Sequence, residues 1–197
     1  MMKKIFIVLI IFFLSSSVWA YPNEPDGFRN LKWGDDLSTF QQKYPDAFYW
    51  PLDQHEKSSP AMAGISKYCV YWNGNQSLSG IPMKYAYFIF WDDKLLAVDI
   101  DLSSNDFSDT FSNEIDLSMR LKALFGKYYK TEKGSLSDIR LAYYYWYGSL
   151  TDITLIGLYN KEAHSSSVTL SLISPELNEA HSKYVDSVLR DKAKQGW

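Results

Sequence analysis

Few side chains in this chain are of types that do chemistry, and their spacing keeps them apart. Its three histidines are His55, in a charged stretch, His164, in a polar connection, and His181, on a C-terminal helical segment beside Leu177 and Tyr184. Glu176 and His181 are five residues apart, whereas two ligands on one helical face need a spacing of three or four. The run Asp99, Asp101, Ser103, Asn105, Asp106, Asp109 is oxygen-rich like a calcium loop. Counted from Asp101, however, its sixth position is Asp106 where glycine is needed, and its twelfth is Ser112 where a bidentate glutamate belongs. Ser66-Lys67 and Ser182-Lys183 are bare dipeptides, and no Gly-x-Ser-x-Gly elbow, phosphate loop or His-Glu-x-x-His helix occurs. The expectation is a protein that is not an enzyme and takes no cofactor or metal.

Aromatic surface is what the residues do offer. Phe, Trp and Tyr make up 17% of the chain, concentrated in Tyr85 to Trp91 and in Tyr143-Tyr144-Tyr145-Trp146-Tyr147. Side chains alternate along a strand, so Tyr143, Tyr145 and Tyr147 share one side while Tyr144 and Trp146 share the other. Only one side can meet packed helices. The second is covered by a loop, a partner or a ligand, or stays a tyrosine-rich surface that its hydroxyls keep wettable. In Leu95 to Leu102, likewise, Leu96, Val98, Ile100 and Leu102 point one way while Asp99 and Asp101 point to water. Tyr143, Tyr145, Tyr147, Asp99 and Asp101 are thus the candidate binding residues.

The elements that must position them follow from periodicity and punctuation. Gly27 to Gly34 alternates as a short strand, after which Asp35 or Asp36 caps a helix carrying Leu37, Phe40 and Tyr44 and ended by Pro45. Phe48 to Ser59 reads as loop. Strands follow at Ile65 to Trp72, closed by Asn73-Gly74-Asn75, at Met83 to Trp91 and at Leu95 to Leu102, with Asp92-Asp93-Lys94 as a tight hairpin connection. A helix with the stripe Phe107, Phe111, Ile115, Met119, Leu121, Leu124 and Phe125 stops at Gly126. Beyond a polar loop, Lys127 to Ser137, come strands Ile139 to Tyr147, Thr151 to Tyr159 and Ser167 to Ile173. Ser174-Pro175-Glu176 then starts a final helix with the stripe Leu177, His181, Tyr184 and Val188. This order predicts an α+β, two-layer fold, with helices on one face of a mostly antiparallel sheet and a helix-plus-three-strand unit used twice.

Composition sets the address. Lys3 and Lys4, an apolar run from Ile5 to Leu14, and small residues ending Val18-Trp19-Ala20 have the grammar of a cleavable export signal, predicting residues 1–20 as leader and 21–197 as one domain. The apolar run is shorter than the roughly 20 residues of a membrane span, so no membrane anchor is expected after cleavage. Losing Lys3 and Lys4 takes the formal net charge from −3 to −5. An acidic chain with no basic run does not suit nucleic acid. The lone Cys69 forms no internal disulfide and reads as a small buried hydrophobe.

Gly27-Phe28-Arg29-Asn30-Leu31-Lys32-Trp33-Gly34-Asp35-Asp36-Leu37, with Phe90 to Val98 and Leu124-Phe125-Gly126, resembles a group of uncharacterised small exported bacterial α/β proteins that open on a Phe-Arg-x-Leu-Lys-Trp-Gly segment. That resemblance implies a bacterial envelope address and no activity. The helix-and-strands layout is also similar at fold level to β-lactamase inhibitor protein-like domains and small outer-membrane assembly lipoproteins, which implies protein binding through a sheet face. The expected function is a periplasmic or secreted binding protein holding another envelope protein or peptide. Small-ligand or glycan binding is the alternative, and a hydrolase using Asp99, Asp101 and a histidine is a third.

Overall fold

The computed structural model describes residues 21–103, 107–136, 138–162 and 165–195. The expected leader, His164 and the pair Asn105-Asp106 lie outside the described residues. Strands β1 (Gly27–Phe28) and β2 (Leu31–Lys32) come first, followed by helix α1 (Leu37–Lys43), β3 (Phe48–Trp50), α2 (Gln54–Ser58) and a 3-10 turn (Pro60–Met62). Strands β4 (Ile65–Leu78), β5 (Ile81–Trp91) and β6 (Lys94–Asp101) then lead to α3 (Phe107–Phe125). The chain ends with β7 (Lys130–Leu136), β8 (Ile139–Trp146), β9 (Asp152–Asn160), β10 (Ser165–Ile173) and α4 (Pro175–Gln195).

The architecture is α+β around one eight-stranded sheet of order β3-β4-β5-β6-β10-β9-β8-β7, with every recorded pairing antiparallel. Four strands, not three, follow each of α1 and α3, and the two runs meet in mid-sheet where β6 pairs with β10. The extra strands are β3 and β7, both at sheet edges and both read from sequence as loop. Within the same supposed loop, α2 is held by a capping box between Asp53 and Glu56.

Tight turns set the register. Asp92 and Asp93 both have positive φ, 50° and 57°, the left-handed pair that a two-residue hairpin needs, and Trp91 pairs with Lys94 across them. Ser79 and Gly80 do the same between β4 and β5. Asn73-Gly74 is therefore no turn. It lies inside β4, where the pairing with β5 shifts register between Tyr71 and Gln76. The first strand expected at Gly27 to Gly34 is instead the β1–β2 hairpin, turned at Arg29 with φ 56°. Asp36 stands at the N-cap of α1 without capping it, since its carboxylate accepts from Lys94 Nζ at 2.6 Å.

Phe40, fully buried, seats α1 on the sheet, with ring centroids 4.8 Å from Phe88 and 5.2 Å from Phe90. Val98 and Ile100 lie in the same core, paired with Phe88 and Ala86. Helix α3 packs over β9 and β10, but its inward stripe differs in phase from the expected one. Thr110, Glu114, Leu117 and Leu121 are buried, while Ile115, Met119 and Leu124 are exposed. The helix is rotated because Glu114 turns inward to a polar cluster: it accepts from Tyr144 Oη at 2.9 Å and lies 3.6 Å from Arg140 Nη2. A side chain at Gly157 would come within 2.7 Å of Glu114 Oε2, so the glycine leaves room for that carboxylate. The side chains of Phe107 and Asp109 lie outside the description.

Helix α4 departs from the expected single layer of helices. His181 and Tyr184 pack on Trp91, at 5.4 and 5.9 Å, and Trp91 shares a face of β5 with Tyr85 and Tyr87, opposite Phe88 and Phe90. The ring of His181 also hydrogen-bonds the Ala63 carbonyl at 3.0 Å. The start of α4 is as expected, with Ser174 Oγ accepting from Leu177 N at 3.3 Å. Among the described residues no helix is long and apolar enough to cross a membrane.

The segment Tyr21 to Pro25 clasps the β8–β9 connection. Tyr21 Oη donates to the Thr151 carbonyl at 2.6 Å, and the Glu24 carboxylate accepts from Thr151 N at 2.7 Å, Ser149 Oγ at 2.9 Å and Leu150 N. Removing a half-buried carboxylate that satisfies two backbone donors costs about 2 kcal/mol. Glu24→Ala should therefore lower the melting temperature by about 4–8 °C, read by circular dichroism. An unchanged melting curve would show the clasp to be decorative.

Candidate functional site

Strand pairing brings the sequence-predicted residues onto one face of the sheet, opposite the side that carries α1 and α3. Two cross-strand rows define it. The first runs Tyr71, Tyr85, Asp101, Thr169, Ile156, Tyr143, Glu132 across β4, β5, β6, β10, β9, β8 and β7. The second runs Phe48, Cys69, Tyr87, Asp99, Ser171, Thr154, Tyr145, Lys130, beginning on β3. In both, short polar side chains occupy β6, β10 and β9, apart from Ile156, and tyrosines flank them on β5 and β8. At about 4.8 Å per strand, the two tyrosine walls stand about 19 Å apart. The result is a trough with a floor of carboxylates and hydroxyls.

The walls are ordered by ring contacts. On the β8 side Tyr143 stacks on Tyr145, centroids 6.0 Å apart and planes 9° apart, and Tyr145 on Tyr147 at 6.0 Å and 19°. Tyr144 and Trp146, pointing the other way, are buried in the core. Tyr147 follows the last residue of β8 and meets Tyr129 at 5.2 Å. There the ladder opens onto a cleft of about 880 Å³ whose lining includes Tyr21, Phe125, Tyr129, Trp146 and Tyr147. On the β5 side Tyr71 stacks on Tyr85 at 6.0 Å, Tyr85 meets Tyr87 at 5.2 Å, and Tyr87 meets Trp50 at 5.3 Å. Tyr71 is 56% exposed and Tyr147 45%, so the ends of both walls meet solvent. Among the described residues, the helix packing found on this face is that of α4 at Trp91.

Charges on the face are mostly matched. Lys67 Nζ pairs with Glu56 at 2.6 Å and lies 5.3 Å from the Tyr87 ring centre; Lys130 pairs with Glu132 and lies 5.9 Å from that of Tyr145. Asp101 accepts from Ser103 N at 2.7 Å and from the Tyr85 hydroxyl, whose pKa is raised by burial and by that carboxylate. Neither Asp99 nor Asp101 has an ion-pair partner among the described residues. Asp99 is not the fully solvated acid that the strand pattern implied. Burial pushes its carboxyl above the usual range, against the pull of a Ser171 hydrogen bond and of Lys67.

A carboxyl whose pKa is raised by folding binds its proton more tightly folded than unfolded. Its contribution to stability is complete below the ordinary aspartate range, near 3.9, and is lost as pH rises through the raised value. The ionised form of Asp99 works against the fold, and perturbed titratable groups of this kind cluster at functional sites. Asp99→Asn should raise the melting temperature at pH 7, with the gain shrinking toward zero as pH falls below about 4. A gain that grows on acidification would contradict the assignment.

Of the other candidates, Cys69 is buried under its aromatic neighbours, and its thiol is pushed up by that burial. His55 sits on α2 and His181 is engaged by Ala63 and Trp91, while the groups acting on Asp99 are Ser171 and Lys67. Among the described residues no group of three or more His, Cys, Asp or Glu could hold a metal ion. Sequence reasoning missed Tyr71, Tyr85, Tyr87, Trp50 and the hydroxyl floor. Alternation puts Tyr85 and Tyr87 opposite Ala86 and Phe88, but only the pairing register aligns them with Asp101 and Asp99. No family model matches this chain, and no curated protein or solved structure matches it either.

Proposed function

We propose that this is an exported, non-enzymatic binding protein of the bacterial envelope, periplasmic or secreted, whose tyrosine-walled sheet face holds another envelope protein or a peptide. The observation that carries this reading is the trough, where tyrosine walls on β5 and β8 flank a floor holding Asp99 and Asp101. Tyrosine gives large contact area at low entropic cost and dominates recognition surfaces. The antiparallel sheet supports the same reading, because the pairing of β6 with β10 in mid-sheet joins its halves into a broad face with both walls in register. The resemblance in the Phe28 to Gly34 segment supports the envelope address.

The test is a comparative pull-down from envelope extract with the wild-type protein, a Tyr143→Ala/Tyr145→Ala variant, and a Tyr49→Ala control outside both rows. Partners retained by the control and lost by the double variant support the face as the site. Identical partner sets for all three overturn it. The cleft beside Tyr147 favours a second reading, the binding of a small ligand or envelope glycan by aromatic stacking. A melting-temperature rise with envelope oligosaccharides that Tyr147→Ala abolishes would establish it.

A further inference from the structure

The trough specifies the chemistry of its occupant, and the following inference rests on the reading that this face binds a partner. Asp99 and Asp101 lie two residues apart on β6 and on the same face, so their carboxylates repeat at about 6.8 Å along the strand. Side chains at alternate positions of an extended segment repeat at the same distance. Each carboxylate shares its row with tyrosines on both sides, Tyr87 and Tyr145 for Asp99, Tyr85 and Tyr143 for Asp101. The face already holds cations against such rings, with Lys67 at Tyr87 and Lys130 at Tyr145. Those two lysines are paired with Glu56 and Glu132, and neither Asp99 nor Asp101 has an ion-pair partner among the described residues.

We propose that the occupant is an extended peptide segment with lysine or arginine at alternate positions, lying along β6 and β10 with its cations at Asp99 and Asp101. The stems of those side chains pack against the tyrosine walls. Charge complementarity selects this occupant over an acidic or neutral one, because each unmatched carboxylate would otherwise be desolvated without return.

The test is fluorescence anisotropy of the whole protein with three labelled probes: a hexapeptide alternating lysine and threonine, its glutamate counterpart, and a neutral hexasaccharide. The lysine peptide should bind, and its affinity should fall about tenfold in Asp99→Asn/Asp101→Asn, a shape-conserving variant checked for folding by its melting curve. On wild-type protein, affinity should also fall as sodium chloride rises from about 50 to about 500 mM, as the screening length shortens. No binding of the lysine peptide, equal binding by the Asn variant, or equal binding of the glutamate peptide overturns the proposal. Hexasaccharide binding that depends on Tyr143 and Tyr145, without lysine-peptide binding, overturns this occupant and leaves the face reading standing. Unchanged partner sets in the pull-down overturn the face itself.

Discussion

Phe40→Ala should lower the stability of the protein by about 3–5 kcal/mol, the usual cost of removing a buried aromatic ring and leaving its cavity. For a chain of this size that is a fall of about 6–20 °C in melting temperature. The magnitude follows from the environment. Phe40 is fully buried and meets Tyr44, Tyr68, Phe88 and Phe90 with centroids between 4.8 and 5.8 Å, so no neighbour can close the space without breaking another ring pair. It is also the one buried residue of α1. Its loss should free that helix and loosen β4 and β5, the strands that carry the Tyr71–Tyr85–Tyr87 wall on their other side. Thermal unfolding checks the size. A change under about 1 kcal/mol would mean that α1 contributes little to the core.

The second large effect is expected at Glu114. It is fully buried, accepts from Tyr144 Oη, and faces Arg140, whose guanidinium lies 4.4 Å from the Phe111 ring centre. The cluster perturbs its members. Burial and the Glu114 carboxylate push Tyr144 up to about 12, and Tyr159 is raised by burial and by the same carboxylate. Glu114→Ala strips Arg140 of its counter-charge and leaves the Tyr144 hydroxyl without an acceptor. The cost for a fully buried pair is about 3–5 kcal/mol. Arg140 keeps a third of its side chain in solvent, so about 2–4 kcal/mol is the expected loss here. Glu114→Gln, which still accepts from Tyr144, should cost less than half as much. Equal losses for the two variants would assign the effect to the lost charge alone and not to the hydrogen bond or to packing.

That cluster also shows where sequence reading stops. Of the apolar α3 stripe Leu121 is buried while Ile115, Met119 and Leu124 are exposed, and the side that folds inward also carries Thr110 and Glu114. An acid is buried in a helix only when its partners arrive from distant strands, and Arg140 and Tyr144 are invisible to a helical periodicity. Alternation was a better guide for β6 and β8, because a half-buried strand writes its two faces directly into successive residues. It separated Asp99 and Asp101 from Val98 and Ile100, and Tyr143 and Tyr145 from Tyr144 and Trp146.

Edge strands were illegible for the opposite reason. β7 reads Lys-Thr-Glu-Lys-Gly-Ser-Leu with no apolar alternation, since an edge gains from charges that discourage further pairing. β3 has only Phe48, Tyr49 and Trp50, all exposed. The side on which α4 packs was hidden as well, because a stripe containing His181 says that the helix has a buried face and not which face of the sheet it covers. The candidate site was therefore half legible: the residue types on β6 and β8 were readable, and their alignment with β5 across four strand steps was not.

Hydroxyl-radical footprinting read by mass spectrometry addresses the shared tyrosine-walled face directly. In the free protein Tyr71, Tyr143, Tyr145 and Tyr147 should be oxidised much faster than Tyr144 and Tyr159. Adding a partner recovered by the wild-type protein should protect Tyr85, Tyr87, Tyr143 and Tyr145 together while leaving Tyr49 and Tyr184 unchanged. Slow oxidation of Tyr143 and Tyr145 in the free protein, or protection confined to residues outside the two rows, would contradict the account.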